Sequence, residues 1–593
     1  MSSSPRPTLS PSTSLEKITP PKSLGRDAKR VVFDHLSRQL AAFRNTATLY
    51  ADMEMGTLEQ GESMDPDVQR EMEGWRREYK EALNEWVQGF LRKAWVVCYE
   101  KDEDDCPILD PYADTSTAET KPSLPSRSDM AQLINAILFI YLTTSQTKQY
   151  SALTRAFFSA YGYNDLIDEN AITWTLQNPE EAVKQAEARQ QALKTSDQVV
   201  ESVKKSHALE SRFMRNVGIG LGTIVDGVLI GMTGGLAAPL VGAGLASVLG
   251  FFGLGGTILG LVATGLAGSG VVCGALFGVY GAKSTAEMVE RHTREVRDLK
   301  IVPVRTKKGE QAKEMERGDR QRGKAGETLA VRLCISGWLN DKDDVVAPWT
   351  IFGGDDTYAL QWEIEALEEL SNALVTLITS HAMKYVKGEI IKRTMLAGLM
   401  ASLAPLALLK IGEIIDNPWM NAKALAIKTG AVLGELLAKR VFGNRPVTLV
   451  GYSLGSLAIY EALLYLATLP PSETMHLVQD VFLFGTPAST EPRQWSQIRR
   501  VVAGRVINGY AKDDYVLAVL SRASTASWSI AGLEPVHVKG VENVLCEGVK
   551  GHLYWRAMVG RCLEQCDAPG IIPREVEIQD QTALIPGSAD RGD

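Results

Sequence analysis

One five-residue pattern limits what this chain can fold into: Gly451-Tyr-Ser453-Leu-Gly455. An apolar run of strand length, Val447 to Tyr452, leads into it behind Arg445-Pro446. Leu457, Ala458, Glu461, Ala462, Leu464 and Tyr465 continue beyond it with helical character. A strand, G-x-S-x-G and a helix together read as the nucleophile elbow of α/β-hydrolases, a strained turn that projects a serine Oγ into a site. The glycines are needed sterically, because side chains would collide across so sharp a turn. The helix N-terminus after Ser453 adds a positive end that favours a developing oxyanion. Among 52 glycines the bare pattern can arise by accident, so its weight comes from its flanks. The competing reading is an ordinary strand–turn–helix with a buried serine.

A serine hydroxyl at neutral pH needs a base within reach and an acid to hold that base in the right tautomer. In this fold class the chain order is Ser, then Asp or Glu, then His. Three histidines follow Ser453: His476, His537 and His552. His476 precedes the next strand, Val478 to Phe484, and is set aside. His537 falls in Glu534-Pro-Val-His-Val538, read as a strand that fixes its side chain. His552 sits in Lys550-Gly551-His552-Leu-Tyr-Trp555, a turn before a helix, which is where the last member of a triad belongs. His552 is therefore the preferred base and His537 the alternate. For the acid, a strand ends in Asn508-Gly-Tyr-Ala-Lys-Asp513-Asp514, placing two aspartates where open α/β sheets hold their ligands. Asp514 is preferred and Asp513 is the alternate, while either could simply cap the helix beginning at Tyr515. Backbone N–H groups of Leu454 and of Trp338, in Ser336-Gly337-Trp338 after an earlier strand, are the candidate oxyanion donors.

At 593 residues the chain exceeds one domain. A net charge of −8 is mild and argues against nucleic acid as a partner. The seven cysteines are scattered and fit reduced thiols in a cytosol-facing protein. Residues 1–26, rich in Ser, Pro and Thr, read as a disordered tail without a signal peptide. Residues 27–178 carry helical stripes such as Trp75, Tyr79, Leu83, Trp86 and Phe90, and read as an all-α domain. Ser128 is the candidate cap for the helix that carries Ile134 and Leu138. Residues 179–216 form a charged helix with thin coiled-coil character. Residues 283–327 read as a charged helix and linker, 328–566 as the α/β-hydrolase-type domain with a doubly wound sheet, and 567–593 as a disordered tail. Within 328–566, Tyr358 to Thr379 reads as a helix. Met395 to Ile411 is apolar and interrupted by Pro405.

Residues 217–282 form a Gly-rich apolar stretch long enough for two membrane spans at roughly 20 residues each. Small residues recur at GxxxG spacing, as in Gly227/Gly231/Gly235 and Gly270/Gly274/Gly278, which lets helices approach closely in lipid. Asp226 is costly in lipid and should face a partner helix or the boundary. Lys204, Lys205, Arg212 and Arg215 stand before the stretch, and Lys283, Arg291 and Arg294 after it. Both flanks are thereby assigned to the cytosol, which requires an even number of crossings or a re-entrant hairpin. A buried helical hairpin in a soluble protein is the alternative.

The combination of Ser336-Gly337-Trp338, Gly451-Tyr-Ser453-Leu-Gly455, Phe484-Gly485-Thr-Pro487, Asn508-Gly-Tyr-Ala-Lys-Asp-Asp514 and Gly551-His552, behind a charged helix and a Gly-rich apolar segment, resembles one eukaryotic family. It is the uncharacterised-domain family typified by the animal transmembrane and coiled-coil domain-containing protein 4, whose yeast relatives are described as lipase-like proteins of Golgi or endosomal membranes. The resemblance covers roughly Ala182 to Cys562. It implies an α/β-hydrolase-like domain behind membrane helices, with Ser453 as nucleophile, Asp514 as acid and His552 as base, and it supplies no substrate.

The expectation is a membrane-associated serine hydrolase of lipase or esterase type, with its catalytic domain on the cytosolic side. A lipid-embedded hairpin beside that domain would bring the pocket to an ester-rich surface. The alternative is an inactive hydrolase-fold scaffold in vesicle trafficking, binding partner proteins through its helical region. The sequence implies no metal and no organic cofactor: G-x-G-x-x-G and P-loop patterns are both absent.

Overall fold

Four strands in the second half of the chain are buried along their whole length, as strands covered on both faces are. The computed structural model describes residues 12–59, 66–110, 123–193, 256–278, 298–304, 327–379, 405–524 and 529–582. Seven strands form one sheet: β1 Lys300–Pro303, β2 Val331–Ile335, β3 Asp356–Gln361, β4 Val447–Tyr452, β5 Val478–Phe484, β6 Val506–Tyr510 and β7 Val541–Leu545. Their order is β1-β3-β2-β4-β5-β6-β7. Only β1 runs antiparallel, pairing with β3. Every other neighbouring pair is parallel. The chain is thus α/β in this half, and every residue of β2, β4, β5 and β6 is buried.

Helices Ile364–Thr379, Pro405–Ala438, Leu454–Ala467, Pro492–Val501 and Tyr554–Gln565 cover the sheet. The helix Leu454–Ala467 packs tightly on Pro405–Ala438 because two glycines leave room. A Cβ on Gly430 would lie 2.6 Å from the Ala458 carbonyl oxygen, and one on Gly434 would lie 2.6 Å from the Tyr465 ring.

The N-terminal region is all-α. Helices Arg26–Glu59, Pro66–Tyr99, Arg127–Thr144, Ala152–Ala160 and Glu169–Gln177 enclose their own core, in which Trp86, Phe90, Phe139, Phe157 and Phe158 are buried. This region is fastened to the amino-terminal end of the sheet. Ala152 N–H donates to the His476 carbonyl at 3.0 Å, and Tyr150 N–H donates to that of Asn444 at 3.0 Å. Arg155 reaches across to Asp355 at 2.8 Å and to Gln479 at 2.9 Å while also holding Glu169 at 2.9 Å. Burial pushes the Asp355 carboxyl up, but Arg155 and Arg332 outweigh it and hold it below its usual range.

Several sequence expectations are corrected. Asp356–Gln361 at the start of the expected 358–379 helix is a strand, because pairing with both β1 and β2 outweighs local periodicity. Strands β1 and β7 were not foreseen, being short and at the sheet edges. The tail expected to be disordered holds the helix Ser14–Lys17, and Leu15 and Ile18 are buried in the helical core. At the other end, the helix Pro573–Thr582 follows residue 566, with Val576 buried beside Gly560. Ser126, not Ser128, caps the helix Arg127–Thr144, accepting from Asp129 N–H.

Of the Gly-rich stretch, 217–255 and 279–282 lie outside the described residues, as do 194–216, 283–297 and 380–404. The described part forms helices Gly256–Ala267 and Ser269–Phe277, bent by 61°. Among the described residues no single helix is long and apolar enough to cross a membrane, and this bent pair alone has the combined length and composition. One side of the pair, with Ile258, Val262, Leu266, Val272 and Leu276, is buried against the N-terminal helices, while Val271 is 71% exposed. Asn444 N–H donates to the Ala275 carbonyl at 3.2 Å, just ahead of β4. The pair therefore docks at the end of the sheet opposite Ser453, roughly 20 Å away along β4 by the rise of a six-residue strand.

The His476 anchor sets a pH dependence. Burial, reinforced by nearby Arg440, lowers its imidazole to about 4. The unfolded ring titrates near 6.5, so between those values the unfolded chain binds a proton that the folded one does not. Stability is therefore expected to fall as pH drops from about 6.5 toward 4, and to be insensitive to this group above 6.5. Urea unfolding at pH 7 and pH 5 checks this: His476→Gln should flatten the difference by about 1–2 kcal/mol.

Candidate active site

The end of β4 carries the turn. Ser453 has φ +54° and ψ −127°, a conformation that a side-chain-bearing residue adopts only when its surroundings impose it. Its N–H donates to the Phe484 carbonyl at 2.8 Å, which ties the turn to β5. Glycine is required around it. A Cβ on Gly455 would lie 2.1 Å from the Ile335 carbonyl oxygen, and one on Gly451 would lie 2.8 Å from the Ile459 side chain. Gly337, in the loop after β2, is as tight: its Cβ would lie 2.1 Å from Tyr452 O and 2.5 Å from Leu454 N.

The loops at the carboxyl ends of the strands bring two more groups to this turn. Ser453 Oγ lies 2.6 Å from His552 Nε2. His552 Nδ1 lies 2.8 Å from Asp514 Oδ2. A carboxylate only accepts, so the proton of the neutral ring sits on Nδ1, and Nε2 is left to accept from the serine hydroxyl. Asp514 Oδ1 accepts from Leu517 N–H at 3.0 Å, so one aspartate both caps the helix Tyr515–Ser524 and contacts the histidine. Ser453, His552 and Asp514 are all fully buried. Trp419, on the helix Pro405–Ala438, lies edge-on to the His552 ring at 6.4 Å.

The alternates lie elsewhere. Asp513 is exposed, its carbonyl accepting from Tyr515 N–H. His537 is exposed too, and it sits in the loop before β7 rather than in a strand. His476 Nδ1 is 2.7 Å from Ser151 Oγ, at the helical-domain junction. Leu454 is the first residue of its helix, so its N–H has no partner inside that helix. Trp338 is buried in the loop that begins at Gly337, and its carbonyl accepts from Tyr452 Oη at 3.2 Å.

That loop is held through Ser336 and Asp344, by partners that no motif marked. Ser336 Oγ donates to the Asp344 carbonyl at 3.0 Å, and Trp349 Nε1 donates to Ser336 Oγ at 3.1 Å. Asp344 accepts from Asn340 N–H at 2.8 Å and pairs with Arg556. Trp555 was also missed; its Nε1 donates to Asp514 Oδ2 at 2.8 Å. Its only sequence signal is its place three residues after His552, one turn on.

Residues 211–568 match the family model described as "Protein of unknown function (DUF726)". The chain belongs to the DUF726 family. This member is 38% identical over 380 residues to an "uncharacterized membrane protein" of Schizosaccharomyces pombe, covering 62% of each chain. It is 34% identical over 386 residues to a "transmembrane and coiled-coil domain-containing protein" of Oryza sativa, covering 63% of this chain and 56% of that one. It is 34% identical over 255 residues to a "probable lipase" of Saccharomyces cerevisiae, covering 42% of this chain and 23% of the relative. The chain thus spans less than two thirds of the length of these relatives. No solved structure matches the DUF726 chain.

Gly337→Ala tests the close approach. The added methyl meets backbone rather than a movable side chain, so a loss of roughly 2 kcal/mol or more is expected in chemical denaturation. Stability equal to the parent would show that the loop does not press on the turn.

Proposed function

We propose that this DUF726 protein is a membrane-associated serine hydrolase of α/β-hydrolase type that cleaves acyl esters, lipid esters above all. The observation that carries the reading is the continuous hydrogen-bonded path from Ser453 Oγ through His552 to Asp514, at 2.6 and 2.8 Å. Its position supports the reading too, since the serine stands at the carboxyl end of a central parallel strand, on a strained turn that opens a helix.

In this reading His552 Nε2 takes the Ser453 proton as Oγ bonds to the ester carbonyl carbon. Asp514 holds the ring and stabilises the imidazolium. The N–H groups of Leu454 and Trp338 receive the negative charge that forms on the carbonyl oxygen. The C–O bond of the alcohol then breaks as Nε2 returns the proton to the leaving oxygen. Water, deprotonated by the same nitrogen, releases the acyl group. The preference for lipid esters and for membrane association rests on the 217–282 composition and on the names of the relatives: two are called membrane or transmembrane proteins and one a probable lipase. A cytosolic face for this domain and a Golgi or endosomal membrane belong to the same proposal.

One observation favours a second reading. The three groups are fully buried, as they would be in a hydrolase-fold scaffold that binds trafficking proteins and turns nothing over. A fluorophosphonate probe separates the two. The full chain in detergent or vesicles should label stoichiometrically, Ser453→Ala should not label, and Asp514→Asn should label about a thousandfold more slowly or worse. A folded protein that stays unlabelled under both conditions would favour the scaffold.

A further inference from the structure

The relay contains a donor that the mechanism above leaves unused. Trp555 is fully buried in the first turn of the helix Tyr554–Gln565. Its Nε1–H ends on Asp514 Oδ2, the same oxygen that receives His552 Nδ1, and both distances are 2.8 Å. The other oxygen is taken by Leu517 N–H at 3.0 Å. The carboxyl plane is thereby fixed at both ends, by a backbone amide on one oxygen and by a rigid indole beside the imidazole on the other. Without the indole, Oδ2 would be held only by the imidazole that it orients, and the two could shift together about the Asp514 χ2 bond, which is broad for aspartate.

The chain also makes room for this indole. Gly485, in Phe484-Gly485-Thr-Pro487, has φ +58°, and a Cβ there would lie 2.4 Å from Trp555 Nε1 and 2.6 Å from Cε2. The Phe484 ring packs beside the indole with centroids 6.2 Å apart. The turn that carries His552 thus also carries Trp555, and the loop after β5 carries the glycine that seats it.

We propose that Trp555 is a positioning residue for the relay, its indole N–H setting the Asp514 carboxylate that orients His552, with Gly485 admitting the indole. This rests on the hydrolase reading for its effect on turnover, but not for its effect on the histidine. Loss of one hydrogen bond to a buried carboxylate corresponds to roughly a tenfold change in rate, confined to kcat because the indole does not touch substrate.

The test uses the full chain with [15N]histidine, Trp555→Phe, and a second variant with 3-benzothienylalanine at position 555 introduced by amber suppression. The second keeps the ring volume and removes only the N–H, so it serves where W555F fails to fold. The readouts are the His552 Nδ1–H resonance, which a hydrogen bond to a carboxylate moves downfield, and kcat and KM on a p-nitrophenyl ester. The expected result is a displaced Nδ1–H resonance in either variant, with kcat down about tenfold and KM unchanged. A resonance that stays in place in a folded variant overturns the proposal, whatever kcat does. A displaced resonance in a protein whose parent hydrolyses no ester leaves this assignment standing and removes the hydrolase reading alone.

Discussion

The loop after β2 presses its backbone onto the turn after β4. With glycine at 337 and 455, atoms approach within distances that any side chain would forbid. That approach holds Ser453 in its strained conformation and brings Gly337 against Ser453 and Leu454. The cost of a positive φ at a non-glycine residue, on the order of 1–3 kcal/mol, must be met by the surrounding packing. Here the packing is the fully buried β2 and β4 and the ties that secure the loop. Asp344, itself buried, joins Asn340, Ser336 and Arg556, and so couples the loop to the helix that follows His552.

The molecule has two ends with different chemistry. At the carboxyl end of the sheet stand the serine, the histidine and the aspartate, with Trp419 against the histidine and Trp555 against the aspartate. At the amino end the helical region is bolted on through Arg155, Asp355 and His476, and the bent apolar pair Gly256–Phe277 docks there as well. The described part of the Gly-rich stretch, residues 256–278, is therefore remote from Ser453. Among the described residues, no part of this stretch lies beside the pocket.

What the sequence disclosed followed from local signals that tertiary structure had no reason to override. The apolar run before Ser453, the two glycines and the helical residues after it defined strand, turn and helix. Chain order and loop placement narrowed the partners to His552 with His537 as alternate and to Asp514 with Asp513 as alternate, and the structure brings His552 and Asp514 to Ser453 while leaving Asp513 and His537 at the surface. Where pairing decides, local reading failed. Asp356–Gln361 looks helical alone and is a strand between two partners, while β7, with Glu542, Asn543 and Leu545 exposed, lacks the apolar run that marks the inner strands. Leu15 and Ile18 sit in a Ser- and Pro-rich tail whose composition conceals two buried anchors. Trp555 received no role from the sequence, because nothing in one dimension shows that its N–H faces a carboxylate 41 residues earlier.

The central claim is that Ser453 becomes a nucleophile by giving its proton to His552. Rapid mixing of the full chain with p-nitrophenyl butyrate, followed by peptide mapping of the quenched protein, addresses it directly. The account predicts a burst of p-nitrophenolate equal to the protein concentration and a butyryl group on the peptide that contains Ser453. A folded protein that gives neither burst nor adduct, in detergent and on vesicles alike, would contradict it.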